Sequence, residues 1–310
     1  MAKLDNYPFR VNSPLPLMGC DFTSPQLLNL QTNQYFNLIP YFGGKYTQLK
    51  DTLPHIETVA MMNNAHTYIE CFGGGGKCIL NLDTISHQFQ KKIYNEWDKA
   101  LCSLFRMASS KESAQQLMFT LRNVEYKEEV FNYCKKHLND DVSDLEKASM
   151  IFILCLMSVS SNIKNFAKPS YDESKVSRFY NSVERIIQAP SYLENVTVIN
   201  GDYKELMIKY GKDPQVVKYL DPPYHPACRN QNCLRVYPNE LSIDQHREMI
   251  AMLCESRSWV LSGYDPMEFG STDYEPLVAS GAIKESIGMY SISPSYNEES
   301  YKQEFIWYKL

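Results

Sequence analysis

A buried apolar run, Val216 to Leu220 (VVKYL), leads directly into Asp221-Pro222-Pro223-Tyr224. An amine conjugated to an aromatic ring is a poor nucleophile, because its lone pair is delocalised into the ring. Two acceptors set on its N–H groups would draw it toward tetrahedral geometry and localise that pair. Asp221 offers a carboxylate, and the Pro222 carbonyl offers the second acceptor, held with little freedom because adjacent prolines fix φ. Tyr224 adds a ring face on which a base that has left its duplex can stack. The chemistry that suits this set is methyl transfer to an exocyclic amine such as that of adenine. Taken alone, the four residues also read as a strand running into a proline-rich turn.

A second cluster lies upstream, where His66 to Phe72 (HTYIECF) is followed at once by Gly73-Gly74-Gly75-Gly76. A phosphate-binding P-loop is excluded, since Cys71 stands where its first glycine belongs and Cys78 replaces its Ser or Thr. A dinucleotide fingerprint starting at Gly73 fails as well, because Cys78 occupies its last glycine position. What remains is a bare backbone turn that lets a nucleoside approach closely. An acidic residue ending the next strand would hold the ribose hydroxyls, and Glu96, twenty positions past Gly76, suits that task. The alternative is a flexible loop with Glu96 merely solvated.

These motifs need a scaffold that brings strand ends together. Lys91 to Asn95, Val196 to Asn200, Val216 to Leu220, Trp259 to Ser262 and Gln303 to Tyr308 read as further strands. Helical spacing dominates from Lys99 to about Gln188, with Ser143 to Val159 as one candidate helix and Ile243 to Cys254 as another. The pattern predicts an α/β fold with a mostly parallel central sheet and a mainly helical insertion forming a separate lobe. Ligands of such sheets bind beyond the carboxyl ends of the strands, where every motif above falls.

Composition sets the outer bounds. The 310 residues are 44% hydrophobic and 22% charged, which excludes collagen-like, coiled-coil and wholly disordered classes. The longest apolar run, Met150 to Met157, is far short of the roughly 20 residues that span a bilayer. With no secretory leader pattern and nine scattered cysteines, reduced thiols in a cytoplasmic protein are expected, with neither membrane nor metal as partner. A net charge of −5 argues against sequence-blind coating of DNA but allows a local basic groove. Arg229 and Arg235 lie in a loop beside Tyr224, either as contacts to a DNA backbone or as ordinary solvated side chains. His225 reads as shaping that loop or touching DNA, and His246 as a capping or packing residue.

With these motifs in order, residues 39 to 310 resemble the Dam-like DNA adenine methyltransferases, which use S-adenosylmethionine. Tyr41-Phe42-Gly43-Gly44-Lys45 is similar to the family's amino-terminal motif, and Tyr68 to Phe72 with the glycines to its cofactor loop. Asn95-Glu96-Trp97-Asp98 resembles the acidic ribose motif, Gly201-Asp202-Tyr203 the element contacting the cofactor adenine, and Asp221 to Tyr224 the catalytic motif. Arg229, Tyr237, Glu240, His246 and Leu261 to Tyr264 follow a phage and bacterial branch. Cys71, Lys77 and Glu96 depart from the family's usual proline, small residue and aspartate.

The resemblance implies a Rossmann-like methyltransferase fold. It assigns S-adenosylmethionine to Tyr41, Lys45, Glu70, Phe72, Gly74, Glu96, Asp202, Tyr203 and Asp221. Asp221, Pro222 and Tyr224 would hold a flipped adenine of double-stranded DNA, with Arg229, Arg235 and Tyr237 toward the DNA. It also implies a lead over 1–38, a catalytic domain over 39–98 and 196–310, and a target-recognition insertion over 99–195. A restriction endonuclease is a candidate partner. The competing readings are a weak or inactive DNA-binding relative and a methyltransferase of RNA.

Overall fold

The computed structural model describes residues 35–41, 43–169, 174–229, 240–291 and 301–310. Five strands carry the motifs or flank them: β1 (Thr67–Glu70), β2 (Lys91–Glu96), β3 (Val196–Asn200), β4 (Val216–Leu220) and β5 (Trp259–Gly263). These five pair in parallel, and β6 (Ile283–Ser291) and β7 (Tyr301–Lys309) add an antiparallel edge. The order across the seven-stranded sheet is β3-β2-β1-β4-β5-β7-β6. The chain moves outward from β1 to β3 and returns to the middle at β4. A crevice therefore opens between the carboxyl ends of β1 and β4, where such folds bind ligands.

Among the described residues, ten helices cover the two faces. Helix α1 (Leu49–Met62) precedes β1. Between β2 and β3 lie α2 (Lys99–Ala108), α3 (Lys111–Arg122), α4 (Glu128–His137), α5 (Asp144–Met157), α6 (Ser174–Arg185) and α7 (Ala189–Tyr192). Helix α8 (Tyr203–Tyr210) follows β3, α9 (Ile243–Glu255) precedes β5, and α10 (Glu275–Ala279) precedes β6. Alternation along the strands sends Tyr68, Tyr94, Val217, Tyr219 and Ile306 to one face, under α1 and the helical block. Ile69, Ile93, Leu220, Trp259 and Trp307 go to the other, under α8, α9 and α10. The helices of the block share one continuous apolar cluster with their face of the sheet, with Leu101, Phe105, Leu117 and Ile151 packed alongside Tyr94 and Tyr219. The expected lobe is thus anchored directly on the sheet.

Capping explains where several helices begin. Ser143 and Ser242 each form a capping box, with Glu146 and Gln245 respectively, and Asp98 caps α2 by accepting the Ala100 N–H. Lys218 sits fully buried in the central strand β4, a position that excludes an unpaired cation. Its ammonium donates to the carbonyls of Tyr210, Gly211 and Asp213 at 3.1–3.4 Å, where the carbonyl end of α8 favours positive charge. Burial still lowers its pKa to about 8. No helix among the described residues is long and apolar enough to cross a membrane.

Candidate active site

The glycine turn after β1 is fixed from both sides. Gly73 donates to the Asn95 carbonyl at 2.8 Å, and a Cβ there would lie 2.3 Å from the Tyr94 ring. Gly76 has a φ of +63°, and a Cβ would lie 2.4 Å from Phe105. Glycine is required at both positions, one for the ring and one for the left-handed backbone as well. The Tyr94 hydroxyl donates to the Gly74 carbonyl at 2.8 Å. Lys77 lines the cavity beside Gly44 and Gly75 and donates to the Ile39 carbonyl at 2.6 Å and to Asn37. Asn81 in turn takes both the N–H and the carbonyl of Phe36. Residues 36–39, which the sequence reading assigned to the lead or its border, are packed into the core beside the glycine loop.

Beyond the strand ends lies a cavity of about 400 Å³, within the ~300–1,000 Å³ usual for small-molecule sites. Tyr41, Lys45, Glu70, Phe72, Gly74, Glu96, Asp202, Tyr203, Asp221, Pro222 and Tyr224 all line it, so the structure brings together the expected cofactor and catalytic residues. Glu96 accepts the Gly74 and Asp98 N–H groups, and Asp202 caps α8 by accepting the Lys204 N–H at 3.0 Å. Phe72 and Tyr203 lie ring against ring at 4.7 Å and form one wall. The buried Tyr203 hydroxyl and Asn95 Oδ1 have no hydrogen-bond partner among the described residues. A bare glycine turn, a carboxylate ending β2, an aromatic wall and unmatched polar atoms suit a nucleoside with a polar tail.

Carboxylates crowd the floor. Glu70 is buried at the end of β1 and accepts the Ile79 N–H at 2.6 Å; burial pushes its carboxyl up to about 8. Burial likewise raises Asp221, to about 6, against the opposing pull of the Lys45 ammonium 3.5 Å away. Ser262 on β5 donates to Asp221 Oδ1 at 3.1 Å. Tyr224 stacks on Tyr264 with ring centroids 4.0 Å apart and planes 12° from parallel. Its hydroxyl receives a bond from Lys45 and donates to Glu304 Oε1 at 2.6 Å.

The family model of D12 class N6 adenine-specific DNA methyltransferases matches residues 41–274. The chain belongs to that family. The Dam-like resemblance thus holds across the glycine turn, the helical block and the catalytic motif, and the protein is an adenine-specific DNA methyltransferase of a family that uses S-adenosylmethionine. Among curated proteins none matches the chain.

Not every expected site residue faces the cavity or a groove. Arg229 turns inward: it donates to the Tyr224 carbonyl at 3.0 Å and pairs with Glu240, so its cation is engaged within the protein. Arg235 and Tyr237 lie outside the described residues. His225 takes the loop-shaping role, bonded to Asp273 at 3.0 Å and to the Ala227 N–H, while His246 is buried against Tyr274. Sequence reasoning missed Glu304, which has no exposed surface. The signal was present: Glu304 alternates with Ile306 and Tyr308 on the buried face of β7, an unusual place for a carboxylate.

Proposed function

We propose that the protein transfers the methyl group of S-adenosylmethionine to the exocyclic amine of an adenine flipped out of double-stranded DNA, at a recurrent sequence word. The observation that carries this reading is the convergence of Asp221, Pro222 and Tyr224 on the cavity that the glycine turn and Glu96 also line. When bound, S-adenosylmethionine supplies an electrophilic methyl on a sulfonium. Its nucleoside end is assigned to Glu96, Asp202, Phe72 and Tyr203, and its polar tail to the end nearer Tyr41, Lys45, Glu70 and Gly74.

Asp221 and the Pro222 carbonyl accept the two N–H bonds of the target amine and localise its lone pair toward the methyl. Tyr224 stacks on the extruded base and aligns it for in-line displacement, which is a positioning task. The methyl of bound S-adenosylmethionine would pass to that aligned nitrogen, with the cofactor's thioether as the leaving group. The proton leaves the methylated amine afterwards, when it has become acidic, so Asp221 need not act as a base first. Aromatic rings such as Tyr41 and Phe72 favour a nearby cation.

We assign residues 39–98 and 196–310 to the catalytic domain, 99–195 to target recognition and the loop carrying Arg235 and Tyr237 to the DNA. The setting is a cytoplasm, on chromosomal or phage DNA, with a restriction endonuclease of the same word as a candidate partner. Expression in a methylation-free bacterial host followed by modification-sensitive sequencing tests the reading. Methyladenine at a recurrent word is the expected result. An unmodified genome with folded protein present would overturn it in favour of an inactive DNA binder or an RNA substrate.

A further inference from the structure

Glu304 is a carboxylate in the middle of a β-strand with no exposed surface, far in sequence from every motif. Its Oε1 accepts from Lys45 at 2.7 Å, from the Tyr224 hydroxyl at 2.6 Å and from Gln48 at 3.3 Å. Its Oε2 has no hydrogen-bond partner among the described residues. Burying a carboxylate is costly, and a core of this size has no need of one on β7 for packing. Each strong contact it makes runs instead to a group on the catalytic side of the cavity.

We propose that Glu304 is a positioning residue for methyl transfer, fixing the Tyr224 ring and the Lys45 ammonium relative to Asp221. The proposal rests on the adenine-methylation reading above. Tyr224 is held at three points: its hydroxyl by Glu304 and Lys45, one ring face by Tyr264 and its carbonyl by Arg229. Of these, only Glu304 engages both the stacking ring and the cation beside the acceptor carboxylate. Without the Glu304 charge, Lys45 loses its counter-ion and is drawn toward Asp221, and the Tyr224 hydroxyl is left with a weaker, neutral acceptor.

The charge also reaches Asp221 directly, where Glu304 raises the carboxyl pKa and Lys45 lowers it. Glu70 from β1, Tyr219 from β4, Ser262 from β5 and Cys78 beside the glycine turn are the other polar or titratable groups around Asp221. Tyr264 and Tyr290 also feel Glu304. None of these changes in a Glu304→Gln substitution, which preserves shape and removes one charge. A purely structural Glu304 would lower the melting temperature without moving the pH profile.

The experiment compares wild type, Glu304→Gln, Tyr224→Phe and the double variant in full-length protein. It measures single-turnover methylation of duplex DNA against pH, with thermal melting alongside. Glu304→Gln should lower the rate by about 10- to 100-fold and move the acid limb down by about one pH unit. In the Tyr224→Phe background it should cost less, because the shared hydroxyl is already gone. A folded Glu304→Gln with wild-type rate and an unmoved limb overturns the inference and leaves the activity reading intact. Absence of methyladenine from the wild type overturns the activity reading and the inference with it. Should Glu304→Gln not fold, Tyr224→Phe decides: a reduced rate supports the inference and a wild-type rate overturns it.

Discussion

The carboxylate of Glu96 accepts the Gly74 N–H at 2.7 Å through one oxygen and the Asp98 N–H at 2.9 Å through the other. The acidic residue ending β2 therefore props the glycine turn after β1 as well as lining the cavity. Both contacts are made at the length of a glutamate, one methylene longer than aspartate. Glu96→Asp should break the Gly74 contact and weaken S-adenosylmethionine binding by about tenfold, in keeping with about 1.5 kcal/mol for a hydrogen bond to a charged group. Calorimetric titration checks this, and an unchanged Kd would show the turn to be held without Glu96.

In the proposed reaction Asp221 acts in its ionised form, accepting one N–H of the target amine while the Pro222 carbonyl accepts the other. Its carboxyl is raised to about 6 by burial, so the active form is lost as pH falls through that value. The free enzyme's kcat/KM should decline tenfold per unit below about pH 6. A profile flat to pH 4.5 would remove Asp221 from the acceptor role. Asp221→Ala should abolish transfer with little change in melting temperature, since the side chain lies at a cavity wall and fills no core volume.

Glu70 predicts a stability effect of opposite sense to that of an ordinary salt-bridged carboxylate. Its folded pKa of about 8 lies above that of an unfolded glutamate, so the folded protein holds the extra proton. That contribution is complete below about pH 4.5 and is lost as pH rises toward 8. Glu70→Gln, a mimic of the protonated form, should flatten the decline and exceed wild-type stability at pH 8 by a few kcal/mol. Chemical denaturation at pH 5.5 and pH 8 checks it; parallel curves for the two proteins would refute the sign.

Arg229 offers a discrimination by salt. A phosphate-contacting arginine lowers the slope of log K against log salt by about one when removed. Arg229 is bonded instead to the Tyr224 carbonyl and Glu240. Arg229→Ala should therefore reduce turnover while leaving the salt slope of DNA binding unchanged, as a fluorescence anisotropy series can establish.

Much of this architecture is legible from local patterns. The strands ending in Glu70, Glu96 and Leu220 are short runs with a chemical motif immediately after them, and period and punctuation agree there. Helix α1 is less legible because Pro54 interrupts its backbone ladder. Strand β6 escapes for another reason: IKESIGMYS carries a glycine and four exposed positions in a row, as an edge strand can. In the site, the residues next to a motif are readable, whereas Glu304 acquires its meaning only when β7 folds against the sheet and meets Lys45 and Tyr224. Arg229 illustrates the converse, since its charge suggests an outward role and only the folded loop supplies Glu240 as its partner.

Strand β7 slots between β5 and β6, and it carries the carboxylate that Lys45 shares with Tyr224. On the ribosome, Lys45 and Tyr224 thus emerge long before the group that ties them together, separated from Lys45 by 259 positions. Closing so long a loop is entropically slow, and a sheet lacking its penultimate strand exposes two unpaired edges. A nascent chain can thread its glycine turn and helical block into place while its methylating centre stays slack. On the role proposed for Glu304, competence to modify DNA is deferred until synthesis has passed β7, so a protein stalled short of that strand would leave the genome unmarked.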